Sequence, residues 1–177
     1  LEVLGPAAVG AGVRADARRR PLPARMEVMD LARERWNDHA RSALLGLGDE
    51  AVPALEAALR EGRERSAALG ALKLLAASSD EAAVTLFAWM DEPGCREAAL
   101  EGLARTRRLP LTAVGPLRAV LAARDTDPHG AALAARALGG APQAASDLLD
   151  ALSHGDADVR AAAVAALERI GPRPAWV

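Results

Sequence analysis

A repeat of 31 residues constrains this chain more than any other feature. Leu55, Leu86, Leu117 and Leu148 are each 31 residues apart, and so are Leu59, Met90, Leu121 and Leu152. A third track, Val52, Ala83, Val114 and Ala145, keeps the same step. Within each copy the three positions fall at i, i+3 and i+7, one face of an α-helix. A period of this size marks a supersecondary unit that cannot bury its stripe alone and must stack against copies of itself.

The three tracks predict outer helices at about 49–60, 80–91, 111–124 and 142–153. Pro53, Pro110 and Pro142 stand near their starts, where a missing N–H costs little. Pro116 lies deeper and predicts a bend or a later start. Inner helices are expected between them, at about 63–77, 94–105, 128–138 and 156–170. The last is complete from cap to stop: GDADVRAAAVAALERIG, Gly155 to Gly171. Asp156 or Asp158 can accept the orphan N–H groups of its first turn. Val159, Ala163, Val164, Leu167 and Ile170 recur at helical spacing, and Gly171-Pro172 ends it. RSAALGAL from Arg65, REAALEGL from Arg96 and RAAAVAAL from Arg160 repeat one pattern, whereas HGAALAARAL from His129 has lost the arginine.

The fold class is therefore all-α: a right-handed α-solenoid of antiparallel helix pairs with a period of about 31 residues. The single domain, 1–177, divides into a variant first repeat (1–48), four regular ones (49–79, 80–110, 111–141, 142–171) and the start of a further repeat (172–177). Leu1–Gly5 reads as the tail of an inner helix, and Pro6–Ala15 as an outer helix weakened by Gly10 and Gly12. The step from Val9 to Val52 is 43, or 12 above the period. The excess is expected in a long second helix over Ala24–Leu47, whole or broken near Asn37–Asp38. The array reads as a piece of a longer one. Its cut ends would leave Leu1, Leu4, Ala175, Trp176 and Val177 uncovered, and self-association through them is expected.

Composition agrees. Hydrophobic residues make up 51% of the chain but aromatic ones only 2%, so small aliphatic side chains must do the packing. A net charge of −2 gives no global bias toward nucleic acid. Lys73 is the only lysine and Cys95 the only cysteine, which excludes an intrachain disulfide. With neither a signal peptide nor a run of eighteen apolar residues, the expected location is cytoplasmic.

Paired helices at this period, with DADVRAAAVAAL in the second, resemble HEAT repeats, closest to the short bacterial repeats of the phycobilisome-lyase type. The resemblance covers essentially the whole chain and is clearest from Asp49 to Gly171. It implies a fold more than an activity, since such proteins include scaffolds, adaptors, chromophore lyase subunits and DNA-repair glycosylases. It also implies a ladder in which the inter-helix aspartate and the inner-helix arginine bond to each other or to the next repeat. That role would fall to Asp158, Arg160 and Arg96, with Arg65 and Arg41 as counterparts.

No residue set requires catalysis. Ser153-His154-Gly155-Asp156 holds the residue types of a hydrolytic triad, but adjacent residues cannot converge as nucleophile, base and orienter. His39, His129 and His154 lack the spacing of metal ligands on one helix face. Cys95 reads as a core-filler. Neither a catalytic or metal site nor a cofactor is expected. The candidate partner-binding residues are the basic loop Arg18, Arg19 and Arg20, with Trp36, Lys73 and Arg136. A smaller basic cluster is Arg105, Arg107 and Arg108. These point to a non-catalytic scaffold or adaptor that binds a protein on its concave face of inner helices. The alternatives are a chromophore or maturation lyase subunit and a DNA-binding or repair protein. The DNA reading needs one continuous positive face and lacks aromatic residues interleaved with the arginines.

Overall fold

The computed structural model of the chain describes residues 25–171 apart from 36, 63, 124 and 125. Among the described residues, ten α-helices and two short 3-10 turns follow one another without a strand. Helices α3 (Val52–Arg60), α5 (Asp80–Ala88), α7 (Leu111–Ala122) and α9 (Ala145–Ala151) occupy the outer intervals. Helices α4 (Arg65–Leu75), α6 (Arg96–Leu103), α8 (Pro128–Leu138) and α10 (Ala157–Ile170) occupy the inner ones. Two outer helices are entered through 3-10 turns, Gly48–Ala51 before α3 and Pro142–Ala144 before α9.

Caps set the starts. Ser79 Oγ accepts the Ala82 N–H at 2.9 Å before α5, and Asp127 accepts that of Gly130 at 2.8 Å before α8. Asp156, not Asp158, caps α10, accepting from both Asp158 and Val159. Pro116 neither delays nor ends α7, which runs from Leu111 to Ala122 around it. Thr112, four residues earlier, loses its intrahelical donor to the proline but is exposed, so water can satisfy its carbonyl.

Of the two forms expected for the first described segment, the broken one is found: two helices, α1 (Arg25–Arg33) and α2 (Asp38–Leu47), packed on each other. Asn37 separates them, its side chain accepting the His39 N–H at 2.9 Å. Each helix buries its own stripe, Val28, Met29 and Ala32 on α1 and Ala40 and Leu44 on α2. Val28 lies 31 residues before Leu59, so α1 continues the outer track and α2 is its inner partner. The expected elements Leu1–Gly5 and Pro6–Ala15, and the terminal residues Ala175, Trp176 and Val177, lie outside the described residues.

Eleven of the twelve track positions are buried, and Leu152, at the end of its track, is half-buried. Cys95 is fully buried in the same core, against which Trp89 also packs. The inner helices pack in succession: α2 on α4, α4 on α6, α6 on α8, and α8 on α10. Small residues make this possible. Helix α8 buries Ala131, Ala132, Ala134, Ala135 and Ala137, and α10 buries Ala162, Ala163 and Ala166. At the end of α8, a Cβ on Gly139 would stand 2.9 Å from the Ala166 Cα, so only glycine permits this approach.

Candidate functional site

Several polar side chains pair with one another about one repeat apart. Arg33 on α1 forks onto Glu64, the residue before α4, with bonds of 2.7 and 2.6 Å across a sequence gap of 31. Lys73 on α4 pairs with Glu101 on α6, a gap of 28. His129 on α8 stands 3.4 Å from Glu97 on α6. Asp49 accepts from the Ser79 hydroxyl, a gap of 30. On the outer side, Arg118 of α7 lies 2.9 Å from Asp147 of α9, close enough for an ion pair although the N–H is not aimed at the oxygen, and it also donates to the Gln143 carbonyl.

Arg169, near the end of α10, makes the longest of these links. Its guanidinium donates to the carbonyl of Ala137 at 3.2 Å and to that of Ala104 at 3.1 Å, at the ends of α8 and α6. The Ala104 carbonyl is an orphan acceptor of a helix terminus, whereas that of Ala137 also accepts the Gly140 N–H at 3.0 Å, and a cation at both helix ends opposes the negative end of the dipole. Desolvation between the helix ends pushes its pKa below the ordinary arginine value.

The ladder implied by the HEAT resemblance takes a different form. Arg160 donates to the carbonyls of His154 and Gly155, both at 2.7 Å, and so closes the turn before its own helix. Asp158 is exposed in the first turn of α10, where its charge suits the helix dipole. Arg96 is exposed and pairs with no described residue. Ser153 donates to the Asp150 carbonyl, and His154 Nδ1 accepts the Asp156 N–H at 3.1 Å, so this turn is held by its own polar atoms. Among the described residues no group of three or more His, Cys, Asp or Glu could hold a metal. No helix among them is long and apolar enough to cross a membrane.

One trough stands apart from this mutual pairing. It is a cavity of about 590 Å³ along α4, bounded by α2 and α6. Helix α4 contributes Arg65, Ser66, Leu69, Gly70, Lys73 and Leu74. Their spacing of i, i+1, i+4, i+5, i+8 and i+9 places them on one side of the helix. Arg41 enters from the first turn of α2, Arg35 from the α1–α2 turn, and Arg105 from beyond the end of α6. Among the described residues, five cations therefore line the trough, Lys73 of them already paired with Glu101, and no carboxylate belongs to the lining. Arg41, Arg65 and Arg105 are exposed and form no ion pair or side-chain hydrogen bond with any described residue. Gly70 explains the place of Arg35. A Cβ there would collide with the Arg35 guanidinium, which lies across α4 while its Nη1 donates to the Ala32 carbonyl at 3.0 Å. A glycine inside a helix costs about 1 kcal/mol against alanine, and here it makes room for a charge.

Of the candidate binding residues, Lys73 lies in the trough wall, bonded to Glu101, and Arg136 is exposed on α8 outside the trough. Arg18, Arg19, Arg20 and Trp36 lie outside the described residues. Sequence reasoning overlooked Arg35, Arg41, Arg65 and Arg105 as a set. In the sequence Arg41 and Arg65 stand out only as ladder counterparts, and Arg105 only with Arg107 and Arg108. Their signal is that arginine recurs at the ends of successive inner helices. Comparison with known proteins adds no family: no family model matches the chain, and no curated protein matches it significantly.

Proposed function

We propose that the chain is a non-catalytic protein-interaction module, a right-handed α-solenoid of HEAT-like helix pairs that takes its partner on the inner helices. One observation carries the reading: α2, α4, α6, α8 and α10 pack side by side, with an open trough along α4. Such a row offers a broad, preformed surface without an enclosed pocket. The side chains support a curve toward it. The inner helices α8 and α10 bury mainly alanine where the outer helices α3 and α7 bury leucine and valine, and helix spacing follows the side chains at the contact. A row spaced more closely on its inner side is concave there. The Ser153–Asp156 turn supports a non-catalytic reading, because its polar atoms serve the backbone.

Affinity capture with the intact chain, followed by identification of what is retained, tests the proposal. Replacing Lys73 and Arg136 with alanine should reduce recovery of that protein about tenfold, the loss expected of interface anchors. The thermal midpoint should barely move. Arg60→Ala, on the outer helix α3, should leave recovery unchanged. Equal recovery with all variants, or no retained protein, would overturn the reading.

A further inference from the structure

We infer that the trough along α4 is a binding site for an acidic peptide segment of a partner protein, an extended stretch of about four residues carrying several carboxylates. The inference rests on the interaction-module reading above and specifies the chemistry of the partner. The trough is a net positive concavity in a chain of net charge −2, so its charge is local and not a reflection of composition. Arg41, Arg65 and Arg105 carry guanidinium groups unpaired within the described residues, and each can take a carboxylate through two parallel N–H bonds.

The dimensions fit a peptide. From Arg65 to Leu74 the floor runs about 14 Å at the helical rise per residue. An extended chain covers that distance in about four residues, alternating its side chains between the two walls. The apolar part of the floor is Leu69, Leu74 and Ala98, which suits the backbone and methylenes of acidic residues. A nucleic-acid duplex fits less well. Beyond the trough the charge is mixed: the adjoining cavity between α6 and α8 brings Glu97 and Asp127 to the surface beside Arg96 and His129. No aromatic side chain among the described lining residues offers a platform for an unpaired base.

The test is a titration of fluorescently labelled hexaglutamate against the intact chain at about 30 mM salt, where screening is weak. Saturable one-to-one binding is expected, weakening at least about tenfold at 150 mM salt, where exposed charges are screened within about 8 Å. Arg41→Glu with Arg65→Glu should weaken binding by about a hundredfold or more, since two attractive contacts become repulsive. Arg60→Glu with Arg108→Glu reverses as many charges on residues that do not line the trough, and should change binding less than about threefold, the effect of net charge alone. Equal weakening by both pairs, or no saturable binding, would overturn the site. A twelve-residue oligothymidylate that displaces hexaglutamate and binds tighter would overturn the occupant, as would inorganic phosphate competing at equal charge. Thermal midpoints of the variants establish that they are folded. If hexaglutamate fails while captured protein still depends on Lys73 and Arg136, this inference falls alone. If both fail, the module reading falls with it.

Discussion

Leu86 points a methyl group at Gly102 on the facing helix, so closely that a Cβ on that glycine would strike it. Leu86 and Leu117 are fully buried, and truncating either to alanine should destabilise the chain by about 2–5 kcal/mol, through lost transfer energy and the cavity left behind. At Leu86 the glycine makes a sharper expectation possible. Gly102→Ala alone forces the leucine to move, which cancels the gain of about 1 kcal/mol in helix propensity. With Leu86→Ala in place the clash is gone, leaving Lys73 Cγ, on a flexible side chain, at 3.3 Å, and the same change should recover up to about 1 kcal/mol. Chemical denaturation of the two single variants and the double variant measures the coupling. Additive effects would show that the pair does not meet as described.

At the level of elements, α4 begins under constraint. Glu64, the residue before it, holds a left-handed backbone (φ 51°, ψ 34°), which costs a non-glycine residue about 1–2 kcal/mol. Its carboxylate is forked by Arg33, and that hydrogen-bonded pairing holds the Glu64 pKa below the ordinary carboxylate value. The sign follows from linkage. The stabilisation is complete above the ordinary value and is lost as pH falls through the lower, folded one. Between about pH 5 and pH 3 the thermal midpoint of the native chain should therefore fall more steeply than that of Arg33→Met. Parallel curves would remove the pair from the acid response. Helix positions from α3 onward were legible because twelve apolar residues report one period. The α1–α2 break was half legible: Asn37 was visible as a cap, but Val28 was not read as a further member of the Leu59 track. The polar links were not legible at all. Arg33–Glu64 and Lys73–Glu101 depend on which elements lie side by side and on side-chain reach, and neither leaves a local pattern.

Across the whole molecule, most of these links are exposed or half-exposed ion pairs, each of small energetic weight. They set the register between neighbouring helices more than the stability of the array. The trough escaped sequence reasoning for the same reason, because Arg35, Arg41, Arg65 and Arg105 are separated along the chain and meet only once three inner helices are placed. Arg169 differs from the other links, since one guanidinium joins the ends of α6, α8 and α10 across 65 residues of sequence. Arrays held only by neighbour contacts fray one unit at a time from an end. A side chain that spans three units works against such fraying, and fluctuations in that half of the molecule become a shared event. Amide hydrogen exchange should then find the closing turns of α6, α8 and α10 opening with one common free energy. With Arg169→Met, which keeps the stem and removes the donors, α10 should exchange first and α6 last.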